Sequence, residues 1–284
     1  MAKKISKPQD EMSFLDHLEE LRWHLIRSTL VVIIIASVAL LMKEFIFDTI
    51  LFGPKNMDFP TYRFFCKVGT FLNIDSDFCA EKLPFTIQSR LMSGQFSAYL
   101  WTSIWVGFII GFPYLLYEMW KFISPGLHEN ERKHSRGFIL TASFLFFCGA
   151  LFGYYVVAPL SINFLGTFTV SPEVTNEFDL SSYVSTVRIS VISCGLIFEL
   201  PIIVYFLTKV GLVTPEILRK YRKISLVVIL ILAAVITPPD VVSQVVVAIP
   251  ILVLYQVSIY ISKWVLKSEK KKEAKLATAR AKKS

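Results

Sequence analysis

The chain has 284 residues, of which 54% are apolar and only 18% charged, with a formal net charge of +8. Apolar runs recur along its whole length, and no stretch between them has the periodicity of a second domain, which excludes a soluble core and indicates one all-α polytopic membrane domain. The positive balance does not point to nucleic acid, because the stretch from Lys263 to Ser284 alone holds nine Lys/Arg against two Glu, a net +7.

The N-terminus, MAKKISKPQDEMSF, lacks the apolar core and small-residue cleavage site of a signal peptide, so none is expected. Around HLEELR (His17 to Arg22), Phe14, Leu18, Leu21 and Leu25 recur at helical spacing. Residues 1–22 therefore read as a cytoplasmic segment making an amphipathic approach to the membrane. A transmembrane domain is expected over 23–265, with a first span at 23–42 long enough for roughly 30 Å of helix. Residues 45–95 break the pattern with Pro54, Pro60 and Pro84, mixed charge and clustered aromatics, the marks of an extended loop. Cys66 and Cys79 lie there, outside any apolar run. They either close a small loop by a disulfide on an oxidising side or remain free thiols packed against Phe64, Phe65, Phe71 and Phe78.

Further spans are expected at 96–120, 138–160 and 184–207. The last two, 224–236 and 241–265, are expected to be short, the fifth supplying only roughly 20 Å of helix before Thr237-Pro238-Pro239-Asp240 turns the chain. A span that short thins the bilayer or leaves its turn submerged among protein neighbours. Six spans place both termini on one side. Lys3, Lys4 and Lys7, the loop with Lys121, Arg132, Lys133 and Arg136, the loop with Arg219, Lys220, Arg222 and Lys223, and the tail share that face, which makes it cytoplasmic. The opposite connection, with Glu173, Glu177 and Asp179, has no Lys or Arg from Ser161 to Ser182. The basic tail, 266–284, reads as disordered and attracted nonspecifically to anionic lipid.

Polar residues at unusual places are the candidates for function. In FPYLLYEMWKFISPGLHENER (Phe112 to Arg132), Tyr114, Tyr117 and Trp120 form an aromatic belt at headgroup depth, and Pro125 and Gly126 then stop the helix. Glu131 is left on a short loop, either to read a cationic partner or to pair with Arg132, Lys133 or Arg136. Glu199, followed by Pro201, lies inside the fourth span, where a charged group costs about 2.5–3.5 kcal/mol. It is read three ways: a proton or ion site, a contact for a partner's transmembrane helix, or a neutral group bonded to backbone opened by Pro201. Gln244 lies close to Asp240, which is also placed to cap the last span. No Cys/His set has metal-ligand spacing and no phosphate-binding glycine loop is present, so no metal, nucleotide or other cofactor is expected.

HLEELR at 17–22, FPYLLYEMWKFISPGLHENER at 112–132, FELP at 198–201 and TPPDVVSQ at 237–244 occur in this order. Together they resemble the TatC family, the receptor subunit of the twin-arginine protein translocase, over about Phe14 to Trp264. The resemblance implies a glove-shaped bundle in the bacterial inner membrane, with both termini cytoplasmic and no enzymatic activity. Its partners would be signal peptides with two consecutive arginines, small single-span TatA/TatB-type subunits, and further copies of the chain. Glu20 and Glu131 match the carboxylates that read the arginines, Arg22 the basic residue of the first motif, and Phe122 and Leu127 the apolar neighbours. Glu199 matches the buried acid that contacts the small subunits, and Asp240 and Gln244 the polar residues at the periplasmic end of the last span. Pro54 sits where the first outer loop leaves its helix.

Two departures stand out. Glu118 replaces the family's usual Gln, giving a third carboxylate that either attracts arginines or pairs with Lys121. The first outer loop is also longer than usual and carries Cys66 and Cys79. A rival reading, a proton-coupled secondary transporter using Glu199, requires paired broken helices, and FELP has no second copy. A membrane hydrolase requires a nucleophile and base on converging helices, which the sequence does not offer.

Overall fold

The computed structural model describes residues 14–71, 79, 82–123, 135–237 and 241–281. Helix α1 (Phe14–Leu41) runs unbroken through both the expected amphipathic approach and the first span, since its 28 residues include neither Gly nor Pro. Residue 22 is therefore not a structural boundary.

The segment read as an extended loop is instead folded. It forms a π-helical turn (Phe45–Leu51), a 3-10 turn (Gly53–Lys55), helix α2 (Pro60–Phe71) and strand β1 (Phe85–Gln88). Pro60 opens α2, the position where a missing N–H is harmless. The aromatics of this segment make a core rather than decorate a loop: Phe59, Tyr62 and Phe85 are buried with Leu51, Ile162, Leu180 and Tyr183. Strand β1 pairs in parallel with β2 (Asn176–Asp179), Phe85 opposite Asn176 and Gln88 opposite Asp179. Two four-residue strands so far apart in sequence leave no readable alternation.

Helix α3 spans Gly94–Ile123. The next apolar stretch does not end at Leu160. Helix α4 (Ser135–Phe152) passes through a π-helical turn (Gly153–Val157) into α5 (Ala158–Thr167). Pro159 has no N–H to offer the carbonyl of Tyr155, four residues earlier. Thr61 of α2 takes its place, donating its hydroxyl to that carbonyl. The Tyr62 hydroxyl lies 2.8 Å from the Pro54 carbonyl oxygen and 3.0 Å from that of Pro159. Tyr154 and Tyr183 donate to the carbonyls of Ile50 at 2.8 Å and Leu51 at 2.9 Å. Gly153 lets the π turn touch the helix that carries Val191, for a Cβ there would lie 2.8 Å from Val191 Cα.

Helix α6 (Leu180–Phe198) starts on Asp179, whose carboxylate accepts from the Ser181 N–H at 2.9 Å. That hydrogen bonding, with the Ser181 hydroxyl first, holds the Asp179 carboxyl below its ordinary pKa. Glu199 separates α6 from α7 (Leu200–Lys209). Thr214 caps α8 (Pro215–Lys220), and α9 (Arg222–Ile236) and α10 (Val241–Ala281) follow. Among the described residues, five stretches are long and apolar enough to cross a membrane: Leu18–Leu41, Gly94–Ile123, Gly137–Thr167, Leu180–Lys209 and Ser243–Lys271. With 15 residues, α9 reaches only about 22 Å. By contrast the last span is not short, and the tail is not disordered as far as Ala281, because α10 continues for 41 residues. From Lys267 to Ala281 its sequence is rich in Lys, Glu and Ala and free of Gly and Pro, which sustains a helix.

The chain divides into two compact units, Lys43–Tyr99 with the stretch from Phe144 onward, and α1 with Leu100–Ser143. In the larger one, a second core packs α9 and α10 through Ile229, Ala233, Val247, Ile251 and Tyr255. There the Tyr255 hydroxyl donates to the Leu218 carbonyl at 2.7 Å and accepts from Ser225 at 2.9 Å. In the smaller unit α1 and α3 meet closely at Gly107, where a Cβ would lie 2.6 Å from the Val32 carbonyl oxygen.

Replacing Tyr62 with Phe keeps the ring and removes the buried hydroxyl that lies against the Pro54 and Pro159 carbonyls. Tyr62→Phe is expected to destabilise the larger unit by about 1–3 kcal/mol, read as a lower unfolding temperature of the purified protein in detergent.

Candidate functional site

The inward stripe of α1 begins with polar groups. Glu20 is half-buried, His24 and Ser28 are buried, and about two and three turns further on the stripe becomes apolar with Ala36 and Ala39. Leu18, Leu21 and Leu25 are exposed on the protein surface, where an apolar face can meet lipid. Arg22 is exposed too, about 200° around the helix from Glu20 at 100° per residue. Among the described residues no ion pair links Arg22 to Glu20.

Glu118 of α3 is only 3% exposed, and Nδ1 of His24 donates to its Oε2 at 2.5 Å. Tyr114, one turn earlier on α3, supplies a second side-chain hydrogen bond to this carboxylate. The partner of Glu118 is thus His24, which neither role read for it in the sequence included. A buried carboxylate has to be matched by a charge or by donors, and here it has an imidazole and a phenol. Phe122 stands edge-on to His24, ring centroids 6.2 Å apart, and closes the apolar side of the pair. A signal was available in the sequence: Glu20, His24 and Ser28 recur every fourth residue on one face of α1.

One turn before His24, Oε2 of Glu20 is buried and takes no hydrogen bond from any described residue. That leaves an acceptor unused beside a pair that is already matched. A guanidinium, planar and forked, has the donor geometry such a carboxylate lacks. Leu127 and Glu131, also named from the sequence, lie outside the described residues, as does Asp240.

In the larger unit, Glu199 is 7% exposed and forms the joint between α6 and α7. Its own carbonyl accepts from the N–H groups of Ile202 and Ile203, both at 2.9 Å, and the carbonyl of Ile197, four residues before Pro201, accepts from the Glu199 N–H. The carboxylate is different: Oε1 is buried with no partner among the described residues. Gln244 is engaged, donating from Nε2 to the Leu230 carbonyl at 3.1 Å and tying the first turn of α10 to α9. Cys66 of α2 and Cys79 form a disulfide. Among the described residues no cluster of His, Cys, Asp or Glu has the arrangement of a metal site.

Comparison with known proteins bears on what these groups serve. The family model for the Sec-independent protein translocase protein TatC matches residues 16–250. The chain belongs to the TatC family. It is 47% identical over 266 residues to a TatC protein of Blattabacterium sp. subsp. Periplaneta americana, covering 93% of this chain and all of the relative. A TatC protein of Aquifex aeolicus is 34% identical, over 94% of this chain and 100% of its own. The crystal structure of the twin-arginine translocase receptor TatC superposes with a TM-score of 0.66 at 32% identity, over 88% of this chain and 99% of that one. The protein is accordingly a multi-pass membrane member of a protein-translocase family, with the polytopic helical fold of TatC.

Removing His24 would leave the buried Glu118 carboxylate without its imidazole partner. His24→Ala is expected to lower stability by about 3 kcal/mol. Adding Glu118→Leu should restore part of the loss, which a double-mutant cycle on thermal unfolding would measure.

Proposed function

We propose that this TatC-family protein is the receptor for twin-arginine signal peptides and the core of a translocase that exports folded proteins. Both termini and the receptor face lie in the cytoplasm, and the membrane is the bacterial inner membrane. The consecutive arginines dock at Glu20 and Glu131, and the apolar part of the signal peptide slides along the spans. Small single-span TatA/TatB-type subunits gather at intramembrane polar groups, Glu199 first among them, and a folded cargo crosses at the expense of the proton-motive force. No bond is made or broken by the protein itself.

The observation that carries this reading is the buried, unpartnered Oε2 of Glu20 in the polar stripe of α1. Membership of the TatC family and the name of the matched crystal structure, a twin-arginine translocase receptor, agree with it. In this reading Arg22, Phe122 and Leu127 border the peptide, and Glu118 acts through His24 to hold the stripe that presents Glu20. Asp240 and Gln244 mark the far end of the last span.

Peptide binding to the purified protein in lipid bilayers tests the receptor role. A twin-arginine peptide should bind more tightly than its twin-lysine version. Glu20→Ala and Glu131→Ala should each remove about 1.5–3 kcal/mol of that binding, roughly ten-fold or more in affinity. Equal affinity of both peptides for all three proteins would overturn the assignment.

Glu199 separates this reading from the transporter alternative. Glu199→Gln is expected to weaken co-purification of the small subunits while leaving peptide binding intact. A proton-coupled flux of small solutes that disappears in the same variant would favour the transporter.

A further inference from the structure

Two adjoining clefts in the larger unit lie apart from the carboxylates discussed above. The first, of about 900 Å³, is lined by the aromatic rings of Phe47, Phe52, Phe96 and Tyr99 together with Lys43, Asp48 and Lys55. The second, of about 870 Å³, shares Lys55 and adds Arg63, Lys67 and Lys82 against Asp58, along the wall that carries the Cys66–Cys79 disulfide.

Charge in these clefts is unbalanced. Five cationic side chains accompany two carboxylates, and Asp58 is already taken by Arg63 at 3.0 Å. No described carboxylate pairs with Lys43, Lys55, Lys67 or Lys82. Lys55 is held in place by a neutral contact, its Nζ 5.8 Å from the centroid of the Phe85 ring. The shared lysine therefore presents to both clefts a charge that no described carboxylate pairs with.

The level of the first cleft in the fold narrows the ligand class. Lys43 follows the last residue of α1 by two positions, Phe96 and Tyr99 belong to the first two turns of α3, and Leu180, also in the lining, opens α6. Span ends of this kind lie at headgroup depth, where aromatic rings and lysines meet the polar edge of a bilayer. Phe96, inside a stretch apolar enough to cross a membrane, is 64% exposed and offers an apolar surface. A free inorganic anion or an acidic peptide has no use for that surface. A phosphodiester carrying acyl chains uses both the rings and the lysines.

We propose that this double cleft binds an anionic phospholipid, its phosphate held by Lys43 and Lys55 and its acyl chains starting along Phe96. Additional negative oxygens of the headgroup would be attracted toward Lys67 and Lys82. The binding is chemically separate from recognition of a guanidinium by a carboxylate, so either assignment can fail without the other.

Native mass spectrometry of the full-length protein, released from micelles with equal phosphatidylglycerol and phosphatidylcholine, tests the site. The wild-type protein should retain phosphatidylglycerol preferentially. Lys43→Gln with Lys55→Gln should cut that retention at least about five-fold without changing phosphatidylcholine or the unfolding temperature. Lys223→Gln, on an exposed position outside the clefts, should leave retention unchanged. Equal phosphatidylglycerol retention in wild type and double variant would overturn the proposal. Displacement of the lipid by soluble glycerol phosphate would also overturn it, because the site would then recognise a free phosphate ester and not a lipid.

Discussion

Hydrocarbon offers no hydrogen bonds, so every interruption in a membrane helix has to be answered by protein. In this chain the third apolar stretch is interrupted, first by a π turn over Gly153–Val157 and then by Pro159. The answer comes from the segment between the first two spans: Thr61 serves the Tyr155 carbonyl and Tyr62 the Pro159 carbonyl. Two contacts run through the turns of the same segment, from Tyr154 to Ile50 and from Tyr183 to Leu51. Irregular helices and a folded connecting segment are thus two halves of one hydrogen-bonding solution. Burial in a common core pushes the Tyr62 hydroxyl pKa up and keeps it a neutral donor.

The same rule, applied to side chains, separates two kinds of buried acid. Glu118 is matched by His24 and Tyr114, so its charge is internal to the unit and supports packing. Glu20 and Glu199 each keep one buried oxygen without a partner among the described residues. An acceptor kept dry and unused costs about 1–3 kcal/mol in a folded protein. That cost makes sense where a ligand or a second protein later supplies the donor.

Much of this was readable from the chain. Apolar run length located the spans, and four motifs in order located the family and the candidate acids. The misreadings share a physical cause. Prolines and aromatics at 45–95 read as a loop because local rules cannot show that Phe59, Tyr62 and Phe85 are buried by residues from distant parts of the sequence. Leu160 read as a span end because a π turn changes helical phase without leaving a compositional mark. The basic tail read as disordered because net charge outweighed the propensity of Lys, Glu and Ala for helix, which α10 extends to Ala281. His24 was passed over because a lone histidine suggests nothing until a carboxylate from another helix faces it.

The bonds from Thr61 to Tyr155 and from Tyr62 to Pro159 join residues 94 and 97 positions apart. During synthesis the connecting segment emerges well before the carbonyls that complete it. At about 5–20 residues per second the delay is roughly 5–20 s, during which the tyrosine and threonine hydroxyls have only water or headgroups to bond. Two further apolar helices must be made and inserted in that time. The first segment to leave the membrane is therefore among the later parts to finish folding, and its maturation reports that the third span is in place.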